Sequence, residues 1–178
     1  MNKYHRKTIG LTLIELLITL LILAILIPMA VAAYGQLFSQ QALVQKTEQL
    51  YRYLHLAKSH AIMHNKKVYV HFCPAANNQA WDIVMTEHAV CHCHASDACL
   101  LNTIRPSEKL SDGVILLIAA ADITFNGKQA SYSPMRFSVN PGSVTLTDDS
   151  GVKLKVIQSA MRLRVCAPEQ AQLGYDKC

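Results

Sequence analysis

Cysteine and histidine carry the first chemistry that this chain offers. Cys91-His92-Cys93-His94, with Asp97 and Cys99 close behind, presents thiolate and imidazole, the ligand types of tetrahedral zinc. The spacing argues for a different use, because Cys-x-Cys is tighter than the usual zinc pairing. The chain holds 6 cysteines, an even count that permits full pairing in many connectivities. Disulfides are the expectation. Cys93–Cys99 or Cys91–Cys99 closes a small loop and leaves one cysteine for Cys73. Cys166 and Cys178 bracket the last segment, and a bridge between them closes a loop worth roughly 3 kcal/mol in the loop-entropy account. No metal and no cofactor is expected.

A second constellation is basic. In Met161-Arg162-Leu163-Arg164-Val165-Cys166, alternate residues of a strand share a face, so Met161, Leu163 and Val165 point one way and both arginines the other. The preceding stretch repeats the pattern, with Val152, Leu154 and Val156 inward and Lys153 and Lys155 outward. A hairpin through Gln158-Ser159-Ala160 with an even number of loop residues puts Lys153, Lys155, Arg162 and Arg164 on one face. Like charges opposed across strands destabilise a sheet, and an anionic partner relieves that. A solvated edge that discourages aggregation has the same composition. Lys128 and Arg136 are candidates to extend the patch.

The third feature is Glu15, the one charge between Leu11 and Ala33. That run is long enough to cross a bilayer as a helix, which takes about 20 apolar residues. A charge inside such a segment costs a few kcal/mol and is a functional candidate by default. A basic leader (Lys3, Arg6, Lys7) ends at Gly10, and the small-residue site lies before the apolar run, the reverse of an ordinary cleaved signal. Cleavage after Gly10 leaves the anchor attached and creates an α-amino group at Leu11, one turn from Glu15, where ammonium and carboxylate pair. Positive charge ahead of the run orients the N-terminus to the cytoplasm.

The elements that position these groups read as follows. Residues 1–10 are a cleaved leader, 11–33 a membrane helix, 34–65 its amphipathic continuation, and 66–178 a β-rich head. In the continuation Leu43, Thr47, Leu50, Leu54, Ala57 and Ala61 form one stripe. Tyr51, Tyr53, His55, His60 and His64 read as packing and surface, not catalysis. Lys67–Cys73 and Ala80–Thr86 are strands. Glu87–Asp112 shows no regular pattern and reads as a disulfide-pinned loop. Strands follow at Val114–Ile118, Ile123–Asn126, Met135–Val139, Ser143–Thr147, Val152–Ile157 and Met161–Cys166, separated by Gly127, Pro141-Gly142 and Asp149-Ser150-Gly151. The tail from Ala167 is irregular. The fold class is α+β, a long helix packed on antiparallel sheet.

Gly10-Leu11-Thr12-Leu13-Ile14-Glu15-Leu16 resembles the class III signal of type IV pilins and pseudopilins, with Leu11 where that family usually has Phe. The resemblance implies a pilin-like fold, cleavage after Gly10 by a prepilin peptidase, N-methylation of Leu11, and a role for Glu15 in registering one subunit against the next. Leu56-Ala57-Lys58-Ser59-His60-Ala61-Ile62, followed by a strand ending at Cys73, is similar to minor pilins of the FimT/FimU kind and the related H-type pseudopilins. Members that take up DNA carry Gly-Arg-x-Arg just before a C-terminal disulfide loop. Here Arg162 and Arg164 match the arginines and Met161 replaces the glycine. The implied bridge is Cys166–Cys178.

With the leader removed, 14 basic residues stand against 12 acidic ones, so net charge alone makes no case for nucleic acid. No Gly-rich phosphate loop, nucleophile elbow or His-Glu-x-x-His is present, and no enzyme is expected. The resemblance implies an inner-membrane protein with a periplasmic head, later built into a surface filament with other pilin subunits. The leading expectation is a minor pilin at or near the tip that binds double-stranded DNA non-specifically for uptake. The alternatives are a purely structural minor pilin and an H-type pseudopilin of type II secretion.

Overall fold

The computed structural model describes residues 12–74, 80–91, 93, 105–111, 116–135, 139–160 and 162–178; the side chains of 29–33, 105–108 and 111 lie outside that description. One helix, α1 (Leu13–His64), runs for 52 residues with Pro28 inside it. Thr12 precedes it, and its hydroxyl accepts from the Glu15 amide at 3.4 Å. At the other end Asn65 takes a positive φ of 51°. The Asn65 amide donates to the Ile62 carbonyl and the Lys66 amide to the Ala61 carbonyl at 3.2 Å. That pair of bonds satisfies the last carbonyls and stops the helix.

The two compact parts of the chain are residues 1–37 and 38–178. In the first, the described side chains from Leu13 to Ile27 are exposed. Among the described residues no helix is long and apolar enough to cross a membrane. In the second part the expected stripe is the buried face, with Leu43, Thr47, Leu50, Leu54, Ala57 and Ala61 each at 0% exposure. The Thr47 hydroxyl is accommodated there by donating to the Leu43 carbonyl at 2.7 Å.

Two antiparallel four-stranded sheets share the core with this stripe. The first has β1 (Val68–Pro74), β2 (Trp81–Thr86), β3 (Arg105–Ser111) and β5 (Gln129–Tyr132), in the order β3-β2-β1-β5. The second has β4 (Leu116–Leu117), β6 (Gly142–Asp148), β7 (Lys153–Gln158) and β8 (Leu163–Cys166), in the order β4-β6-β7-β8. Buried polar contacts tie one sheet to the other. Trp81 Nε1 donates to the Ile118 carbonyl at 2.7 Å, and the Tyr132 hydroxyl donates to Gln158 Oε1 at 3.0 Å. Burial raises the Tyr132 phenol far above its ordinary range. Phe72 and Phe125 stack with centroids 5.5 Å apart.

Several expected boundaries move. The stretch read as irregular, Glu87–Asp112, contains β3, a polar edge strand whose Pro106 and charges hide it from a hydrophobic pattern. Short β5 went unread. Ile123–Asn126 is not a strand: 3₁₀ turns at Ala120–Asp122 and Asn126–Lys128 flank Ile123, which makes an isolated bridge to Val144. Of Met135–Val139, Met135 sits in a bend, Val139 bridges Tyr132, and 136–138 lie outside the described residues. Of Val114–Ile118, Leu116–Leu117 form a strand that ends before Ile118, and 114–115 lie outside the described residues. Gly142 is not a turn residue but the first residue of β6. A Cβ there would meet the Phe125 ring at 2.4 Å, so the glycine is required by close approach.

Cys73 is bonded to Cys93, with Cα atoms 5.3 Å apart, and Cys166 to Cys178 at 5.1 Å. Cys93–Cys99 is thereby excluded. Cys91 is disulfide-bonded too, and Cys99 lies outside the described residues. The thiols that looked like zinc ligands at Cys91 and Cys93 are therefore consumed. The tail is more ordered than expected. Ala167 bridges Lys177, and the Cys178 amide donates to the Ala167 carbonyl at 2.9 Å.

Candidate functional site

The basic strands form the hairpin that the alternation requires. Val156 faces Val165 and Gln158 faces Leu163 across β7 and β8. Val156 and Gln158 are buried, with Leu163 and Val165 packed partly against the core. The opposite face then carries Lys153, Lys155 and Ile157 from β7 and Arg164 from β8, with Arg162 just ahead of it. All four basic residues share that face, as an even-numbered connection demands.

The register corrects one part of the electrostatic expectation. Lys155 faces Cys166, and Arg164 faces Ile157, so no cation directly opposes another across these strands. The repulsion that an anion was to relieve is only diagonal. Lys153 is also not free. Its ammonium lies 2.8 Å from Glu169, which raises its pKa through hydrogen bonding and charge, and its carbonyl accepts from Gln172 Nε2 at 2.9 Å. Both partners belong to the segment closed by Cys166–Cys178. The tail therefore screens one end of the basic face and leaves the other open.

At the open end, Arg162 and Arg164 are exposed and Lys155 is half-buried. Among the described residues none of the three has an acidic partner. Ser159 holds the connection. Its amide and its hydroxyl both donate to the Arg162 carbonyl, at 2.9 and 3.0 Å, and its Oγ accepts from the Arg162 amide at 3.0 Å. Met161, where the similar motif has glycine, lies outside the described residues, but the backbone on either side of it is fixed by this clasp. Ile157, Ser159, Arg162 and Arg164 line a cleft of about 260 Å³. Two guanidinium groups with an apolar floor suit a phosphate-bearing ligand, since arginine presents a planar fork of donors that matches phosphate oxygens.

The remaining expected residues fall elsewhere. Lys128 sits over the Trp81 ring at 5.1 Å, so it is engaged in a cation–π contact. Arg136, Gly10 and Leu11 lie outside the described residues. Glu15 occupies the third position of the helix, where its backbone amide is capped by Thr12. Thr12-x-x-Glu15 is the sequence of a capping box, a helix-start signal.

Two of the histidines expected to serve packing and surface belong to a cluster at the end of α1. His60 and His64 stack with centroids 4.1 Å apart, and Lys66 lies 2.8 Å from Glu87. Burial, then the neighbouring His64, lowers the His60 pKa; the Lys66 hydrogen bond lowers that of Glu87. Helical spacing of four between the two histidines was the available signal.

Residues 46–168 match the family model described as type II transport protein GspH. Residues 5–27 match the prokaryotic N-terminal methylation motif. No curated protein and no solved structure matches.

Proposed function

This chain belongs to the type II transport protein GspH family, whose model spans residues 46–168, and on that premise we propose that it is a minor pilin whose head binds DNA non-specifically through Arg162 and Arg164. The observation that carries the proposal is the pair of exposed arginines beside Lys155, without acidic partners among the described residues and flanking one cleft. The mechanism is electrostatic. Guanidinium and ammonium groups contact phosphates and displace condensed counterions, which gives affinity without base readout.

Residues 11–33 hold the chain in the inner membrane in a single pass, N-terminus in the cytoplasm and head in the periplasm, until assembly into a filament. The support is the methylation motif over residues 5–27 and the exposed apolar side chains of the first helical turns onward. Prepilin peptidase cuts after Gly10, Leu11 is methylated, and Glu15 pairs with a subunit N-terminus as the filament grows. The head then rides at or near the tip, and DNA capture there serves uptake.

The family match is equally compatible with a second reading, an H-type pseudopilin of type II secretion. A DNA titration separates the two. The full-length chain, purified in detergent with its disulfides formed, is titrated with duplex DNA at several salt concentrations. The expected result is sequence-indifferent binding whose slope of log affinity on log salt flattens by about 2 in Arg162→Ala/Arg164→Ala, roughly one per lost phosphate contact. A folded protein that ignores DNA at low salt leaves the pseudopilin or a purely structural pilin.

A further inference from the structure

We propose that His60 and His64, assisted by Glu87, form a surface site for a divalent transition metal ion of the zinc, nickel or copper kind. The two histidines lie four residues apart in the last turns of α1, a spacing that places side chains one above the other on a helix. Their rings already stack, 4.1 Å between centroids and 26° between planes. The helix backbone therefore does the organising, and small side-chain rotations bring two imidazole nitrogens toward one ion.

The cluster has donor capacity that the fold leaves unused. His60 Nδ1 is buried and has no hydrogen-bond partner among the described residues. A buried polar atom without a partner is costly, and one beside a second imidazole has an obvious remedy in a shared metal. Glu87, just past β2, interacts electrostatically with both rings. Its carboxylate accepts from Lys66 Nζ at 2.8 Å, an exposed pairing of the kind that contributes little to stability. The carboxylate can therefore turn from the ammonium to the metal, or hold a metal-bound water.

Ligand chemistry selects the ion. Imidazole suits zinc, copper and nickel, whereas magnesium and calcium require oxygen cages. Among the described residues no group of three acidic, histidine or cysteine side chains is placed to hold a metal ion, so the two histidines are the chelate and Glu87 joins it only by side-chain movement. The stretch that first looked metal-binding, Cys91 to His94, has lost its thiols to disulfides. An ion bound across residues 60 and 64 also staples the last turns of α1, so binding raises the thermal midpoint.

The test uses the full-length oxidised chain in detergent, stripped with chelator and titrated with Zn²⁺, Ni²⁺ and Cu²⁺ by calorimetry and thermal unfolding. One equivalent binds and raises the midpoint, and Mg²⁺ and Ca²⁺ do neither. His64→Gln, at an exposed position, keeps the metal-free midpoint and loses the response. Glu87→Gln weakens affinity by about tenfold or more. His92→Ala/His94→Ala binds as the parent does. Retention of the response in His60→Ala/His64→Gln, loss of it in His92→Ala/His94→Ala, or an equal response to Mg²⁺ overturns the proposal.

Discussion

β1 and β7 begin from the same alternation and end in different surroundings. In β1 the even-numbered residues Val68, Val70 and Phe72 enter the core, as Leu154, Val156 and Gln158 do in β7. The difference lies on the other face. His71 and Cys73 of β1 are buried as well, at 5% exposure each. His71 Nε2 lies 3.0 Å from the His88 carbonyl, and Cys73 is bonded to Cys93. The segment after β2 is therefore fastened over β1. On β7 the corresponding places hold Lys153, Lys155 and Ile157, all half-buried, and the tail pairs with Lys153. A face carrying ammonium groups resists burial, because desolvating a charge costs several kcal/mol unless it is paired. The covered face contributes stability; the open face is free to meet a ligand.

Trp81 is fully buried in β2, and Trp81→Ala removes its packing and the bond to the Ile118 carbonyl. A loss of about 3–5 kcal/mol is expected in denaturant unfolding. Cys73→Ala/Cys93→Ala removes the fastening over β1, at a cost of about 3 kcal/mol. Hydrogen exchange should then quicken around His88 before it does on β7. Gly142→Ala drives a methyl into the Phe125 ring and is expected to cost about 1–3 kcal/mol, which the thermal midpoint reports.

His71 gives the covered face a smaller, pH-dependent effect. Burial lowers the His71 pKa, opposed in part by its bond to the His88 carbonyl. Between the lowered folded value and the ordinary value near 6.5, the unfolded chain binds more protons than the folded one. Stability therefore falls as pH drops through that window and is insensitive to His71 above it. Unfolding midpoints at several pH values should show this slope, reduced in His71→Gln. The smallest effect belongs to the open face. Arg162→Ala/Arg164→Ala should change stability by no more than about 0.5 kcal/mol while weakening DNA binding. A large loss of stability would mean that these arginines are structural.

Much of this fold was legible. Leu43 to Ala61 kept one helical period over five turns, and a stripe that regular has one use, so every member of it is buried. The alternation of Val152 to Ile157 and of Met161 to Cys166 likewise pointed to a hairpin with its charges outward, but Gln158, read as a loop residue, is the last residue of β7, and β8 starts at Leu163, after Arg162. β3 was hidden because an edge strand needs no apolar period, and the 3₁₀ turns around Ile123 because one apolar residue fits a bridge as well as a strand. His60 and His64 read as packing and surface because a spacing of four between polar residues says nothing until a third element, here the one carrying Glu87, adds its charge to their surroundings.

The sequence by itself determined the local quantities: which residues can span or cap a helix, which strand faces are apolar, and which charges share a face. Those follow from the pitch of the helix and the pleat of the strand, which need no knowledge of what lies opposite. Only the tertiary structure decided the pairings: Cys73 with Cys93, Arg164 against Ile157 instead of a lysine, Glu169 on Lys153, Lys66 on Glu87. Each depends on strand register and chain path, where a shift of a single residue changes every partner while leaving the local pattern intact.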